Sequence, residues 1–287
     1  MPELPEVEVV RTGLAPAVIG ATITSVSVFD ERALTRHPAG AADFAARLEG
    51  ASIVGASRRG KFLWLQMAGE THALTAHLGM SGQMLLRAPD APAERHERIR
   101  IGIQHPQHGD LAVVFADQRT FGSLAVDELT ADGGDLIPTQ VRHIARDPLD
   151  SAFDDAVFSG AVRRRASAIK RILLDQTVVS GIGNIYADES LWAARIHPES
   201  HGRTLTGAAV GRLLAEVRLV LEKALAEGGT SFDAQYVNVN GEAGYFAHSL
   251  NAYGRGGQAC PRCGSEIRRD AFMNRSSHFC PRCQRKG

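Results

Sequence analysis

The sequence predicts an α+β protein with two domains and a cysteine-rich hairpin near its C-terminal end. Three observations lead to this prediction. Short strand-like segments follow a single N-terminal helix, apolar residues recur at helical spacing after residue 150, and all four cysteines lie between residues 260 and 283. The first domain should therefore be a β-sandwich carrying the N-terminal helix, and the second should be helical and end in a four-cysteine hairpin.

The N-terminal helix is predicted over residues 5–18, because apolar residues recur there every three or four positions and Gly20 then stops it. Its apolar positions are Val7, Val10, Leu14 and Val18. Residues 22 to about 130 have the pattern of strands separated by glycine-containing turns, with a short helix around Phe44 and Leu48. The predicted strands are Thr22–Phe29, Ser52–Ser57, Lys61–Met67, His72–His77, Gln83–Arg87, Arg98–Gln104 and Leu111–Ala116.

The segment after the strands contains two adjacent glycines and two prolines, which is typical of a linker. Apolar residues from Val210 to Leu225 then predict a long amphipathic helix that ends at Gly228-Gly229. The predicted boundaries are 1–131 for the sandwich, 132–150 for the linker, 151–246 for the helical domain and 247–287 for the hairpin.

Composition and charge exclude some classes of protein. Apolar residues make up 44% and charged residues 22% of the chain, which is typical of a soluble globular protein. No apolar stretch is long enough to span a membrane, and the acidic, proline-rich N-terminus does not have the pattern of a signal peptide, so a cytoplasmic location is expected. The net charge is zero, but residues 260–287 carry seven basic and two acidic side chains, and phosphate binding is a local property. A second basic cluster consists of Arg163-Arg164-Arg165 and Lys170-Arg171.

The four cysteines form two Cys-Pro-Arg-Cys pairs separated by sixteen residues: Cys260, Cys263, Cys280 and Cys283. This spacing predicts one tetrahedral zinc ion bound by four thiolates. Two disulfides are the alternative, but the chain has no secretion signal to favour them. His278 is a poorer ligand than the paired thiols because it lies only two residues from a cysteine. Since thiolates fill all four positions, the zinc should be structural rather than catalytic.

Pro2 and Glu3 are candidate catalytic residues. Once Met1 is removed, Pro2 would present a secondary amine that is partly neutral, and therefore nucleophilic, near pH 7. Such an amine can attack the C1′ atom of a sugar and form an iminium ion, and Glu3 places a carboxyl group one residue away. The helix start explains Pro5 and Glu6, but it gives no reason for Pro2-Glu3 at the terminus.

The first eight residues, MPELPEVE, resemble the formamidopyrimidine-DNA glycosylase family, the bacterial enzymes that remove oxidised purines from DNA, and the resemblance continues over the whole chain. It implies that the helical domain is a helix-two-turns-helix domain and that damaged double-stranded DNA lies in a cleft between the two domains. It also implies a monomer in the bacterial cytoplasm, with no membrane partner. Pro2 would form a Schiff base with the sugar of the lesion, and Glu3 would transfer protons there.

Two turn segments carry the next part of the resemblance: HLGMSG from residue 77 and DQRTFG from residue 117. Taken singly, their apolar residues could belong to the core and their arginine to a surface ion pair. In the family these positions fill the gap left by a flipped-out base, which implies that role for Met80, Arg119 and Phe121. The second segment departs from the commoner family pattern DPRRFG, since Gln118 and Thr120 replace a proline and a basic residue.

Residues 179–189, VSGIGNIYADE, resemble the family's helix-two-turns-helix. A Gly-x-Gly-Asn sequence before a helix presents backbone N–H groups at the positive helix end, and this arrangement suits a phosphate. The resemblance implies that Asn184 binds the phosphate beside the lesion. The segment Tyr236–Tyr245 resembles the mobile loop that closes over the damaged base. The remaining implied contacts are Lys61 and Arg275 on the phosphates around the lesion, and His96 and Arg165 elsewhere on the DNA. Lys170 is a further candidate DNA contact because it belongs to the second basic cluster.

The predicted function is therefore a bifunctional DNA glycosylase and abasic-site lyase of base excision repair. It would excise oxidised purines, 8-oxoguanine and formamidopyrimidines, and cut the strand by β,δ-elimination. Two alternatives remain open. A sister enzyme for oxidised pyrimidines typically opens Pro-Glu-Gly-Pro-Glu, whereas this chain has Leu4. A non-catalytic, zinc-dependent DNA-binding protein would explain the cysteines and the basic hairpin, but not Pro2-Glu3.

Overall fold

The computed structural model describes residues 2–69, 71–230, 239–240 and 244–286. The chain forms two compact units, of which the first comprises Met1–His143 with Gly228–Gly244 and the second Ile144–Glu227 with Tyr245–Gly287. None of the helices formed by the described residues combines the length and the apolar character needed to span a bilayer.

The first unit is an antiparallel β-sandwich with a helix at its N-terminus. Its helices and strands are α1 (Leu4–Val18), β1 (Thr22–Val28), α2 (Gly40–Leu48), β2 (Ile53–Arg59), β3 (Phe62–Met67), β4 (His72–His77), β5 (Gly82–Arg87), β6 (Glu97–His105), β7 (Gly109–Asp117), β8 (Ser123–Asp132) and β9 (Asp135–Pro138). One sheet has the strand order β1-β6-β7-β5 and the other the order β2-β3-β4-β8-β9. All neighbouring strands are antiparallel.

Both sheets and helix α1 share one apolar core. In β6, buried Ile99, Ile101 and Ile103 alternate with polar or small residues that are less buried, as expected for a strand with one face on the core. Leu65 of the opposite sheet and Leu14 of α1 belong to the same core. Each such side chain contributes about 1.5–3 kcal/mol by burial, so the sandwich holds the N-terminal helix firmly in place.

All seven predicted strands and both predicted helices of this unit are present. The strands β8 and β9 were not predicted, and β9 lies inside the predicted linker of residues 132–150. Asp132 pairs with Asp135 across Gly133 and Gly134, whose φ angles are 59° and 95°. Two consecutive residues with positive φ are what a type I′ hairpin requires, and glycine adopts them readily. The adjacent glycines therefore connect two strands of one sheet.

The second unit is helical and ends in a two-stranded hairpin. Its elements are α3 (Asp155–Arg163), α4 (Ile169–Leu174), α5 (Asn184–Ala193), α6 (Gly207–Ala226), β10 (Arg268–Phe272) and β11 (Arg275–Phe279). Helix α6 is the predicted long amphipathic helix. Helix α5 packs against α4, α6 and β11, and residues 185–191 of this helix are all buried. Hence α5 is the central element against which α4, α6 and the hairpin pack.

The segment after α6 returns to the first unit. The sequence boundary assigned residues 151–246 to the helical domain, whereas Gly228–Gly244 belongs to the sandwich unit. The backbone N–H and the hydroxyl of Thr230 both donate to Glu6 Oε1 at 2.8 Å, and Val239 is buried in the sandwich core. Local periodicity carries no information about contacts so distant in sequence, so the sequence alone does not reveal this return.

Candidate active site and nucleic-acid interface

Pro2 and Glu3 are held at the first turn of helix α1. Glu3 is the N-cap residue: its side chain accepts a hydrogen bond from the backbone N–H of Glu6, and Glu6 Oε2 accepts one from the backbone N–H of Glu3 at 2.8 Å. This reciprocal capping fixes the backbone at the N-terminus. Pro2 and Glu3 are both buried, and Glu3 exposes only 1% of its surface. The Glu3 carboxyl group therefore lies at the positive end of the helix, in a defined orientation.

Glu6 is a site residue that the sequence analysis assigned only to helix formation. Its Oε1 atom accepts both hydrogen bonds from Thr230, while its Oε2 atom accepts the backbone N–H of Glu3. Gly229, at φ 81°, lies so close that an added Cβ would be 3.1 Å from Glu6 Oε1. Glu6 thus joins the start of α1 to the segment that returns from the far end of the chain. A glutamate three residues after the N-cap was the available sequence signal.

Lys61 lies half-buried on the turn between β2 and β3. Arg58 Nη1 donates to the carbonyl oxygen of Gly60 at 3.2 Å, and Arg58 Nε donates to Glu8 Oε2 at 3.0 Å. Burial opposes ionisation of Glu8, but hydrogen bonds from Arg11 and Arg58 outweigh it and lower the pKa of this carboxyl group. Because Glu8 belongs to α1, this ion-pair network attaches the lysine-bearing turn to the helix that begins at the candidate catalytic residues.

His77 is a further candidate that the sequence analysis treated only as part of a turn. Its ring packs on Phe62 with the ring centroids 4.7 Å apart, and its Nδ1 accepts the backbone N–H of Gly79 at 3.2 Å. Burial, together with the positive charges of Arg36 and Lys61, lowers the pKa of His77 to about 4. The imidazole is therefore neutral near pH 7. Since Nδ1 is an acceptor, the ring hydrogen resides on Nε2 and forms one oriented donor.

The proposed gap-filling side chains come together on two turns whose backbones touch. A Cβ added to Gly79 would lie 2.4 Å from the backbone nitrogen of Gly122, so this contact needs glycine. Met80 is 42% exposed and Phe121 62% exposed, while Arg119 Nη1 lies 3.6 Å from Met80 Sδ. Apolar side chains with this exposure do not belong to the core, and such a cluster suits insertion between base pairs.

Asp117 shapes the second of these turns. Its Oδ1 accepts from Ser81 Oγ at 2.6 Å and from the backbone N–H of Arg119 at 3.1 Å, and its Oδ2 accepts from the Gly122 N–H at 2.7 Å. Thr120 has φ 54°, a left-handed conformation that a β-branched residue seldom adopts. The buried aspartate therefore holds the turn in shape without the proline of the commoner family pattern.

His96 and Arg165 each support a neighbouring stretch of backbone. His96 has φ 65°, and its carbonyl oxygen accepts the backbone N–H of Asp117 at 3.0 Å. Its ring Nε2 is buried and has no hydrogen-bond partner among the described residues. Arg165 Nη1 donates to the carbonyl oxygen of Ala161, near the end of α3, at 2.7 Å. Both side chains are half-buried, so only part of each is accessible to a ligand.

In the second unit, Asn184 lies next to the tip of the cysteine-bearing hairpin, residues 260–283, which we call the finger. It is the first residue of α5, and its Nδ2 donates to the carbonyl oxygen of Ser276 at 3.0 Å. Ser276 follows Arg275, which is exposed at the start of β11. Gln176, which the sequence analysis missed, accepts the N–H of Gly181 at 2.9 Å and so shapes the turn before α5. A positive helix end and an arginine thus lie side by side, an arrangement suited to phosphate.

The structure corrects the assignment of Lys170 as a DNA contact. Its side chain is 0% exposed, and its Nζ lies 2.6 Å from Asp188 Oδ1. The same Nζ donates to the carbonyl oxygen of Ser276 at 2.9 Å and lies 5.3 Å from the ring centroid of Phe272. A lysine enclosed in this way cannot reach a phosphate. It positions the residue that follows Arg275 instead, which local charge clustering could not reveal.

Asp188 and Glu189 join α5 to the finger and to the segment before it. Asp188 Oδ2 accepts the backbone N–H of His278 at 2.8 Å, and Asp188 Oδ1 accepts the Ser277 hydroxyl at 3.2 Å. The His278 ring pairs with the same carboxylate at 3.2 Å, so it is not a fifth metal ligand. Glu189 accepts the backbone N–H groups of residues 251–253, and burial raises the pKa of Glu189 despite these bonds.

The four cysteine sulfur atoms all lie within 4.8 Å of one another. Burial raises the pKa of Cys280 to about 12, whereas hydrogen bonds from Ser265 lower the pKa of Cys263 to about 6. Thiols this close cannot all ionise unless a cation compensates their charge, and a divalent zinc ion supplies that compensation. The cysteines Cys260, Cys263, Cys280 and Cys283 thus form a structural zinc site, as predicted. The predicted base-closing loop Tyr236–Tyr245 lies mostly outside the described residues.

Comparison with known proteins gives consistent matches along the chain. The formamidopyrimidine-DNA glycosylase N-terminal domain matches residues 1–124, the H2TH domain of the same enzyme matches 144–235, and the zinc finger found in FPG and IleRS matches 257–285. A formamidopyrimidine-DNA glycosylase of Leifsonia xyli is 60% identical, and the match covers 99% of this chain and 100% of that protein.

Two solved structures of the Lactococcus lactis Fpg protein are also similar to this chain. One contains DNA with an abasic site, and the other is a variant of that protein with Fapy-dG-containing DNA. Their TM-scores are 0.84 and 0.86, each with 34% sequence identity, and each match covers 99% of this chain and 100% of theirs. Similarity at this level extends through both units and the finger.

Proposed function

The chain belongs to the formamidopyrimidine-DNA glycosylase family, and we propose that it is a bifunctional DNA glycosylase and abasic-site lyase that excises oxidised purines from duplex DNA. The observation that carries this proposal is the buried, reciprocally capped Pro2-Glu3 pair at the start of α1. It combines a terminal secondary amine, once Met1 is removed, with a carboxyl group on the adjacent residue. A glycosylase that works through a Schiff base needs these two groups together.

In the first step, the Pro2 nitrogen attacks C1′ of the flipped-out nucleotide. A new C–N bond forms, the glycosidic C1′–N9 bond breaks, and the damaged base leaves with that electron pair and a proton. The sugar ring then opens to give an iminium ion between Pro2 and C1′. Glu3 transfers the proton at the sugar oxygen, since its buried carboxyl group is held beside the amine by Glu6. Fixing the two groups in this way removes much of the entropic cost of bringing them together with the sugar.

In the second step, the iminium ion makes the C2′ hydrogen acidic. Loss of that proton expels the 3′ phosphate by β-elimination, and a further elimination expels the 5′ phosphate. Hydrolysis of the remaining imine returns Pro2 to its free form. Lys61, on a turn attached to α1 through Arg58 and Glu8, is the cation we assign to the phosphate beside the lesion.

Access to the base requires the duplex to be opened. Met80 and Phe121 form the exposed apolar cluster that would occupy the space of the extruded nucleotide, with Arg119 against the Met80 sulfur. Unstacking and unpairing a base cost a few kcal/mol, and insertion of these side chains offsets part of that cost. We assign Arg119 to hydrogen-bond the edge of the base that is left without a partner, because guanidinium donors recognise base edges well.

The second unit would bind the backbone of the same lesion-bearing strand. Asn184 at the positive end of α5 and Arg275 at the tip of the finger share the Ser276 backbone as a common support. We assign both to phosphates flanking the lesion, with His96 and Arg165 as further DNA contacts. Zinc holds the hairpin in shape when bound. We also propose that the enzyme acts as a monomer in the bacterial cytoplasm, a compartment that contains DNA and keeps cysteines reduced for metal binding.

The proposal is tested by trapping the Schiff base with borohydride on duplexes that carry 8-oxoguanine, a formamidopyrimidine, an oxidised pyrimidine or an abasic site. The wild-type protein should become covalently linked to the purine-lesion duplexes and release the base. Pro2→Gly should slow base release by about 10³-fold or more, as is usual when a nucleophile is disturbed. Pro5→Ala is the matched control, because the nitrogen of Pro5 lies within a peptide bond, and it should trap normally.

Three results would decide against the proposal. Full base excision by a chain that retains Met1 would refute Pro2 as the nucleophile. Trapping confined to the oxidised-pyrimidine duplex would identify the pyrimidine-specific sister activity. Tight lesion binding with neither trapping nor base release would identify a non-catalytic DNA-binding protein.

A further inference from the structure

An open pocket of about 560 Å³ lies at the base of the zinc finger, in the second unit. We call it the arginine pocket. Its lining residues are Arg195, Arg262, Cys263, Arg282, Cys283 and Arg285. No large apolar side chain lines it among the described residues, and four of its six lining residues are arginines.

Within the described part of the chain, none of the four arginines forms an ion pair, whereas Arg218 pairs with Asp155 at 2.5 Å and Lys286 with Glu199 at 2.7 Å. A divalent zinc ion with four thiolates carries two net negative charges. Four arginines against that charge leave a surplus of two positive charges in the pocket, enough for a ligand with two negative charges.

The side chain of Arg262 and the backbone of Arg195 are both held by Trp192. Arg262 Nη1 donates to the carbonyl oxygen of Trp192 at 2.9 Å, and its guanidinium lies 4.0 Å from the centre of the Trp192 ring system. Arg195 has φ 58°, and its backbone N–H donates to the same carbonyl oxygen at 3.2 Å. A pre-positioned guanidinium loses little side-chain entropy when it binds a ligand, and its planar fork matches a phosphate.

The pocket lies at the opposite end of α5 from Asn184 and Arg275. Helix α5 and strand β11 run side by side, because Asn184, the first residue of α5, contacts Ser276, the second residue of β11, and Asp188 contacts His278 further along. The pocket follows the last residues of both elements. A ten-residue helix is about 15 Å long, so the phosphate assigned to Asn184 lies at least that far away.

We propose that the arginine pocket is a second nucleic-acid site, which binds phosphodiester groups of a DNA segment other than the one held at Asn184 and Arg275. The pocket has no large apolar lining residue to accept a peptide side chain, whereas its four arginines suit the negative charge of a phosphate backbone. A protein with two such sites can contact a new duplex before it leaves the old one. Transfer between DNA segments would then not require full dissociation.

Release kinetics test this proposal. The protein is first bound to a fluorescent duplex containing a stable abasic-site analogue and is then mixed with increasing concentrations of unlabelled, undamaged duplex. The release rate of the wild-type protein should rise with competitor concentration. In the variant Arg195→Gln/Arg282→Gln it should stay constant, and at the highest competitor concentration it should be several-fold slower than in the wild type.

The matched control is Arg142→Gln/Arg203→Gln, which removes the same charge from two exposed arginines outside the pocket and should behave as wild type. The pocket variant should keep one zinc per chain, and it should excise the base from a short lesion duplex at the wild-type single-turnover rate. Failure of the wild type to excise any base would refute the proposed function but would leave the transfer measurement intact.

Four outcomes would overturn the proposal. One is a wild-type release rate independent of competitor, and another is a pocket variant that responds to competitor as the wild type does. The third is acceleration by a poly-glutamate peptide but not by undamaged DNA, which would identify the pocket as a docking site for an acidic protein. A parallel loss of single-turnover excision in the pocket variant would also count against it, because the pocket would then belong to the main DNA site.

Discussion

Replacing Lys170 distinguishes a buried positioning residue from a phosphate contact. In Lys170→Met the side-chain volume is nearly kept, but Asp188 loses its partner at 2.6 Å in a site where both side chains are 0% exposed. If the lysine were a phosphate contact, the substitution would leave the fold intact and weaken DNA binding in a salt-dependent manner. The structure predicts the reverse pattern, a loss of stability around the finger with little change in salt dependence.

The size of the effect follows from the surroundings of Asp188. Removing one partner of a buried ion pair typically costs about 3–5 kcal/mol, because the other charge stays buried and uncompensated. Asp188 keeps its hydrogen bonds from Ser277 and His278, so we expect the lower end, about 3 kcal/mol. Lys286→Met is the control, since its pair with Glu199 is 60% and 49% exposed and such pairs contribute about 1 kcal/mol or less.

Hydrogen exchange measures the loss of stability around the finger at individual backbone amides. The backbone amide of His278 donates to Asp188, so its protection should fall about 10²-fold in Lys170→Met and hardly change in Lys286→Met. The slope of log affinity against log salt should remain that of the wild type, whereas loss of one phosphate contact would reduce it by about 0.9. Wild-type protection of His278 together with a reduced salt slope would refute the positioning role and restore Lys170 as a DNA contact.

Three further predictions concern the apolar cluster, the zinc and His77. Met80→Ala with Phe121→Ala should slow base release from a duplex far more than cleavage of a pre-formed abasic site, because that cleavage needs no base extraction. Equal losses on both substrates would instead indicate a general effect on folding or affinity. Arg119→Gln should change which base is accepted opposite the lesion. Chelation should remove one zinc per chain and abolish DNA binding while circular dichroism shows the sandwich still folded, and a metal-free protein with unchanged DNA affinity would contradict this. The folded pKa of His77 is about 4 and its ordinary value is 6.5, so the unfolded chain binds more protons than the folded chain between these pH values. The free energy of unfolding should therefore decrease by about 1–3 kcal/mol as the pH falls from 6.5 towards 4. In urea titrations at pH 7 and pH 4.5, His77→Gln should lack that part of the decrease, and an unchanged decrease would assign it to other groups.

Much of the architecture could be predicted because it is encoded locally. The isoleucines of β6 alternate with period two, and the apolar residues of α1 and α6 recur at helical spacing. The cysteine pairs and the N-terminal Pro2-Glu3 are short motifs whose chemistry is contained in their own spacing. All the residues that define such a feature lie within one short segment, so the sequence of that segment is enough to predict it.

The missed features depend on partners far away in sequence. Lys170 stands beside other basic residues and so resembles a surface cation, but its partner Asp188 lies on another helix. Glu6 has the pattern of an ordinary helix-start residue, yet one of its oxygens binds Thr230. The pKa of His77 is lowered by burial and by cations on other elements. None of these environments can be inferred from residues within one or two turns of the chain.

The bond between Glu6 and Thr230 has a consequence for biosynthesis. The two residues are 224 positions apart, so the ribosome must make most of the chain before the carboxylate that holds the N-terminus finds its partner. The strands and α1 can assemble earlier during translation, but the segment carrying Thr230 and Val239 emerges only after α6. A prematurely terminated chain would therefore carry Pro2-Glu3 without its anchor. The Glu6–Thr230 bond that helps to fix Pro2-Glu3 thus forms only after helices α3 to α6 have also been made.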